Sequence, residues 1–200
     1  ETSYGKVNNL TVNAGATLEL ASVNNLEVEG TLTNNGWLKQ TKFAANASLT
    51  EFLRVKNVAG TVDKYSGVDL TPTSSAMGDT VVIVKGNQEC PQANAPANTV
   101  NRCYEITPTT VAPATTRFYF DSAERGSLVL ATLNGWHYNT GTSAFDLLPA
   151  TANPPGGSGA REYVEATTTT YSPFAVATGN PLAVTLASFG AQGQSDRIVV

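Results

Sequence analysis

The sequence has few of the residue types that most catalytic and metal sites use. Its 200 residues include one histidine, two cysteines and one methionine, and 14% of them are charged, against about 25% in typical globular domains. His137, the one candidate for a histidine base, lies between Trp136 and Tyr138, and a histidine in that setting usually packs rather than catalyses. No nucleophile-elbow, phosphate-loop or paired-histidine zinc motif occurs. We therefore expect a protein that is not an enzyme and uses no cofactor.

The charge and the hydropathy of the chain argue against binding to nucleic acid and against a membrane span. The formal net charge is −4, and the 12 basic residues are scattered along the chain, so we expect no nucleic-acid binding. No apolar run approaches the eighteen or so residues that a membrane-spanning helix needs. A low charge density also weakens self-repulsion, which suits a subunit that packs against copies of itself.

The acidic residues do not form a convincing site. Glu27 and Glu29 share one strand face, but a sixteen-residue repeat places them beside the neutral Thr11 and Asn13, whereas glycoside hydrolysis needs paired carboxylates. The remaining acids, such as those at 63, 69 and 79, lack the spacing of a calcium loop. We predict no metal site, and a structural calcium ion that bridges loops stays an open alternative.

The two cysteines predict a disulfide. Cys90 and Cys103 enclose a loop rich in Pro, Asn and Ala, and the chain offers no CxxC motif or histidine cluster for a zinc site. A disulfide indicates an oxidising compartment and hence a secreted or cell-surface location.

The N-terminal region repeats itself. The residues VNNLTV at 7–12 recur sixteen residues later as VNNLEV at 23–28. Two further periods of sixteen residues lead from VNNL at 23–26 to VKNV at 55–58. Apolar residues two apart, with Asn and Gly turn signals between them, predict short strands. Short strands at a fixed period are typical of a β-solenoid. A meander of hairpins is the alternative.

The rest of the chain predicts longer strands and no helix. Apolar and β-branched runs separated by Pro and Gly turns are typical of a β-sandwich. The predicted strands are residues 80–85, 102–106, 116–120, 127–132 and 161–166. The predicted class is thus all-β, with three parts: solenoid-like repeats at 1–59, a β-sandwich module at 60–180 and a C-terminal strand segment at 181–200.

The C-terminal segment ends on apolar residues, where a soluble domain usually has a polar, frayed tail. We predict that it adds a strand to a sheet of a neighbouring subunit, and residues 2–12 are the second choice for the donor. The candidate intersubunit strand residues are Leu182, Val184, Leu186, Phe189, Ile198, Val199 and Val200.

Aromatic residues offer an alternative function. Trp136 and Tyr138 alternate with His137 on a predicted strand and so share a face, and Trp37 follows a turn. Flat aromatic faces can stack on sugars. Packing in the core is the competing interpretation.

Several stretches resemble secreted bacterial cell-surface and adhesin-type proteins. VNNLTVNAGATLEL followed by GTLTNNG is similar to their solenoid repeats. RCYEITPT, RFYFDSAE, WHYNTG and YSPFAV look like the β-rich module that often follows such repeats. PLAVTLASFGA resembles the segment that joins this module to a fibronectin-like or anchoring domain. The resemblance implies an exported, non-enzymatic surface protein and brings no active site with it.

These observations predict an extracellular structural subunit that polymerises with copies of itself. Two alternatives stay open: an adhesin or carbohydrate-binding module that binds surface glycans, and a spacer from a larger surface protein. Both a mature chain after signal removal and a fragment fit the start at Glu1.

Overall fold

A computed structural model describes residues 5–22, 26–57, 63–92, 94–171, 173–179, 192–194 and 197–199. The predicted all-β class is confirmed, since strands account for 55% and helices for 6%. Within these ranges, no helix is long and apolar enough to span a membrane.

Short strands fill the N-terminal region. They are β1 (Gly5–Val7), β2 (Leu10–Val12), β3 (Thr17–Leu20), β4 (Leu26–Val28), β5 (Leu32–Asn34), β6 (Trp37–Ala44), β7 (Thr50–Phe52) and β8 (Val55–Lys56). Each of the first three strands pairs in parallel with the third strand after it, so that β1 pairs with β4, β2 with β5 and β3 with β6. β4 in turn pairs in parallel with β8.

The sixteen-residue echo is not the pairing register, and this expectation was wrong. Leu26 pairs with Gly5 rather than with Leu10, and Leu10 pairs with Leu32. Consequently Glu27 lies beside Lys6 instead of Thr11, and their side chains form an ion pair of 3.4 Å. The motif combines an asparagine turn with a short apolar strand, and this combination suits any turn that leads into a half-buried strand. It can therefore recur in strands that are not paired with each other.

Two glycines let successive turns approach closely. A Cβ atom on Gly30 would lie 2.2 Å from Asn9 Oδ1, and one on Gly36 would lie 2.3 Å from the carbonyl oxygen of Asn13. Contacts this short exclude a side chain. Asn9 Oδ1 also accepts a hydrogen bond of 2.8 Å from the amide of Thr31, which ties the two turns together.

Longer strands follow. They are β9 (Asp63–Tyr65), β10 (Val68–Pro72), β11 (Gly78–Gly86), β12 (Ala97–Pro108), β13 (Ala114–Phe120), β14 (Asn134–Asn139), β15 (Ala144–Leu147), β16 (Glu162–Thr168), β17 (Pro173–Gly179), β18 (Gln192–Gln194) and β19 (Arg197–Val199). Four of the five predicted strands lie in β11, β12, β13 and β16.

The fifth prediction was wrong, and so was the expectation of no helix. A short helix, α1 (Ser122–Arg125), begins at a capping box formed by Asp121 and Glu124. The 127–132 run then forms a turn and a 3₁₀ helix, Leu130–Thr132. A short apolar run does not by itself establish a strand, and in this one no residue is buried, with Val129 61% exposed.

Two sheets share one hydrophobic core. The first has strand order β16-β13-β10-β7 and the second has the order β15-β14-β17-β12-β11-β6-β3. Phe118 of the first sheet contacts Tyr104 and Phe174 of the second, with ring centroids 5.2 Å apart in both pairs. The same core continues into the N-terminal strands through Val12 and Val28.

Strand pairing crosses the position of the predicted domain boundary at 59/60. β6 pairs with β11 along its whole length, and β7 pairs with β10. The N-terminal region therefore supplies strands to both large sheets.

Candidate functional site

The first three strands leave one side of their backbones unpaired. β1, β2 and β3 are each the first member of a parallel ladder and, among the described residues, pair only with the later strands β4, β5 and β6. In each ladder the free side is the one opposite the later strand. We name the free sides of β1, β2 and β3 together the open end.

The hydrogen bonds identify which backbone groups face outward. Leu10 donates its N–H to the carbonyl of Thr31, and Val12 accepts from the amide of Asn35. In a parallel ladder, alternate residues direct both backbone groups to the same neighbour, so the N–H and C=O of Thr11 point away from β5. The amide of Glu29 similarly donates to Val7, which leaves the groups of Lys6 on the free side.

The same alternation applies to β3. Trp37 donates its backbone N–H to the carbonyl of Ala16, so Leu18 also faces β6, while Thr17 and Glu19 face the free side. Unpaired rows of this kind are templates for a further strand.

Among the described residues, few of the usual protective devices cover the open end. Edge strands are commonly protected by proline, bulges or uncompensated charge, and β1, β2 and β3 contain no proline. The two charged side chains on these strands are compensated from the next strand, Lys6 by Glu27 and Glu19 by Lys39. The surface is thus close to neutral.

A different edge of the molecule is blocked. The outer side of β16 is met by the preceding loop, in which Gly156 exchanges two backbone hydrogen bonds with Tyr163, of 3.1 and 2.8 Å. The amide of Thr167 donates to the carbonyl of Pro149 in the same loop. The contrast makes the open end the more accessible template.

The C-terminal candidates are only partly within the described residues. Leu182, Val184, Leu186, Phe189 and Val200 lie outside them. Ile198 and Val199 belong to β19, which forms an antiparallel hairpin with β18. Neither strand of the hairpin pairs with another described strand.

The disulfide lies in a second, smaller core. Cys90 and Cys103 are bonded and pack with Trp136 and Phe145 on the face of the seven-stranded sheet opposite the main core. The loop that carries Cys90 is also held by a hydrogen bond of 3.0 Å from Asn94 to the carbonyl of Ser143.

The three predicted stacking residues do not form one platform. Trp136 is 4% exposed, so its faces are covered by the loop and neighbouring strands. Tyr138 packs beside Phe145 with ring centroids 5.3 Å apart. Trp37 is 36% exposed, lies beneath Lys85 Nζ at 4.8 Å, and is four strands away from Trp136 in the sheet order, or roughly 19 Å at the usual strand spacing.

His137 is a packing residue in this fold. Its ring lies 5.2 Å from that of Phe174, and its Nδ1 is 3.4 Å from the hydroxyl of Thr170. Burial lowers the pKa of His137, against the smaller opposing effect of Asp146. In the part of the chain that the structure describes, no group of three His, Cys, Asp or Glu side chains could hold a metal ion.

Comparison with known proteins gives no match, since no family model, no curated protein and no solved structure is significantly similar to this chain. The resemblance to bacterial surface proteins therefore stays a prediction that depends on the sequence motifs alone.

Proposed function

We propose that the protein is a non-catalytic, extracellular structural subunit of a cell-surface filament or layer, assembled by adding strands between subunits. The observation that carries the proposal is the open end, where β1, β2 and β3 each have one side that pairs with no other described strand. The disulfide fits an oxidising location outside the cytoplasm.

Two finer features of the fold belong to the same proposal. Parallel ladders between each strand and the third strand after it support a short β-solenoid at the N-terminus. Two sheets around a common core support a β-sandwich module behind it. In this arrangement the module closes one end of the solenoid and leaves the other end free.

Strand addition explains how such a subunit polymerises. A strand placed against β2 forms main-chain hydrogen bonds with Thr11, each worth about 0.5–1.5 kcal/mol net. The donor we propose is the C-terminal segment, either residues 182–189 or the β19 strand. Donor and acceptor are then different surfaces of one chain, and a head-to-tail contact that does not close gives a filament.

Two variants test the two surfaces separately. Deleting residues 191–200 removes the hairpin strands and should leave a folded monomer that no longer assembles. Thr11→Pro removes an N–H that faces the open end without removing a ladder hydrogen bond, so it should also give a folded monomer.

Matched controls identify the cause. Thr11→Val keeps the N–H and should assemble like the unaltered chain, whereas Leu10→Pro removes the bond to Thr31 and should destabilise the fold. Size-exclusion chromatography and negative-stain microscopy measure assembly, and circular dichroism checks folding. An unaltered chain that stays monomeric at high concentration would contradict the proposal, and polymers of the deletion variant would exclude that segment as the donor.

A further inference from the structure

A basic cleft lies beside the first sheet, away from the open end. Four of the 12 basic residues of the chain line it, and they come from three separate stretches of the sequence: Arg54 and Lys56, Arg117, and Arg161. Two tyrosines, one aspartate and the loop of residues 157–160 complete its lining, and its volume is about 560 Å³.

Two of the arginines in the cleft, Arg161 and Arg117, are more exposed than the carboxylates that they pair with. Arg54 differs, because its partner Glu51 is the more exposed of the two, at 37% against 26%. The side chain of Arg161 is 35% exposed and that of its partner Asp63 is 6% exposed. Arg117 and its partner Glu165 show the same asymmetry, at 36% and 4%. A ligand that approaches Arg161 or Arg117 therefore meets guanidinium groups before it meets carboxylates.

The carboxylates hold the guanidinium groups in place. Asp63 Oδ2 accepts from both Arg54 Nε, at 3.1 Å, and Arg161 Nη1, at 2.9 Å. Arg54 also pairs with Glu51 through its Nη1 atom, so two carboxylates balance the charges of Arg54 and Arg161, and the bonds fix the direction of both guanidinium groups. Each guanidinium has five N–H donors, so donors remain for a ligand after these bonds are made.

A second set of contacts fixes Arg117. Its Nε donates to Glu165 at 2.5 Å. Burial alone would raise the pKa of Glu165, but hydrogen bonds from Thr151, Asn153 and Arg117 outweigh it and keep the pKa below its usual value. The carboxylate thus stays ionised and holds the arginine across the neutral range.

Lys56 differs from the three arginines. No described residue makes a hydrogen bond or ion pair with its ammonium group, so this charge is available to a ligand. The loop of residues 157–160 lines the same cleft, and in it a Cβ atom at Gly157 would lie 1.8 Å from the carbonyl oxygen of Arg161. The loop can follow this path, with a positive φ of 87°, because residue 157 is glycine.

We infer that this cleft binds an anionic ligand through an oxyanion, a carboxylate or sulfate group, placed between Lys56 and the guanidinium groups of Arg117 and Arg161. Oriented guanidinium groups suit planar and tetrahedral oxyanions, and the volume falls in the range of small-molecule sites. Each of the two tyrosine rings in the cleft lies against a guanidinium group, Tyr119 against Arg161 at 5.0 Å and Tyr163 against Arg117 at 4.8 Å, and these contacts help to hold the arginines in place. The inference does not depend on assembly.

The test is isothermal titration calorimetry of the full chain with three probes. Trigalacturonic acid carries carboxylates, a heparin-derived disaccharide carries sulfates, and maltotriose is the neutral control. We expect at least one acidic probe to bind, more weakly at high salt, and maltotriose not to bind. Which acidic probe binds identifies the preferred anion.

Three variants locate the binding. Lys56→Gln should weaken the affinity about tenfold or more, as expected when a charged hydrogen bond is lost. Ser158→Glu places a carboxylate at the cleft without removing a paired residue and should abolish binding. Lys39→Gln makes the same charge change on the other large sheet and should leave the affinity unchanged. Thermal unfolding checks that each variant is folded.

Three outcomes would overturn the inference. They are no binding of either acidic probe at millimolar concentration, equal binding of maltotriose, and equal weakening by Lys56→Gln and Lys39→Gln, which would indicate diffuse charge attraction.

Discussion

Removing the disulfide should cost a large share of the stability of this protein. Cys90 and Cys103 are 13 residues apart, and in the chain-entropy model a cross-link over a loop of this length contributes about 3 kcal/mol. Since domains are typically stable by about 5–15 kcal/mol, the double variant Cys90→Ala/Cys103→Ala should unfold at a clearly lower denaturant concentration.

Loss of the disulfide can also be detected by tryptophan fluorescence, because of where the disulfide lies. It holds the loop that covers Trp136, so the variant should also shift the fluorescence of this tryptophan toward that of an exposed indole. Performing both measurements in a Trp37→Phe background leaves Trp136 as the single reporter. Urea unfolding then gives the free energy of unfolding with and without the cross-link.

Reduction of the unaltered chain is the matched control, because it breaks the bond without changing a side chain's carbon skeleton. A loss of about 3 kcal/mol in both experiments would support the entropic account. A loss below about 1 kcal/mol, with unchanged Trp136 emission, would show that the loop is held by its other contacts and would refute the reasoning.

Three further predictions concern the core, a turn and pH. Phe118→Ala should lower the free energy of unfolding, measured in urea, by about 3–5 kcal/mol. Phe43→Ala, at a 62% exposed position, should change it by less than about 0.5 kcal/mol. Similar losses of stability in the two variants would contradict the shared core. Gly36→Ala should lower the melting temperature, because its Cβ would lie 2.3 Å from the carbonyl oxygen of Asn13. Gly179→Ala is the control, since its Cβ would have no neighbour within 4 Å. Equal effects of the two substitutions would contradict this turn geometry. Burial lowers the pKa of His137 in the folded protein, so on acidification the unfolded chain binds a proton at a higher pH than the folded protein does. The free energy of unfolding should therefore fall as the pH drops below about 6.5. The same pH dependence in His137→Gln would contradict this role.

Local sequence patterns predicted the positions of the strands better than they predicted which strands pair with each other. Alternation and turn residues located β11, β12, β13 and β16, because each strand buries at least one face. The parallel pairing of Leu10 with Leu32 could not be derived, because the repeated motif is compatible with several registers and the closing turns decide among them.

The candidate sites show the same limit. The cysteine pair was predictable from its loop, but burial of Trp136 depends on that loop folding over it. The basic cleft left no signal in the sequence, because Arg54, Arg117 and Arg161 lie far apart along the chain. Arg117 lies in β13, Arg161 directly precedes β16 and Arg54 directly precedes β8, so the fold and not a local motif brings them together.

Hydrogen exchange of single backbone amides tests the central claim most directly. In the monomer, the amide of Leu10 is bonded to Thr31 and should exchange slowly, while those of Lys6, Thr11 and Glu19 face the open end and should exchange fast. The account predicts that the amide of Thr11, against which the donor strand is placed, becomes protected when the chain assembles, with little change at Leu10. Fast exchange at Thr11 in the assembled protein, or slow exchange there already in the monomer, would contradict it.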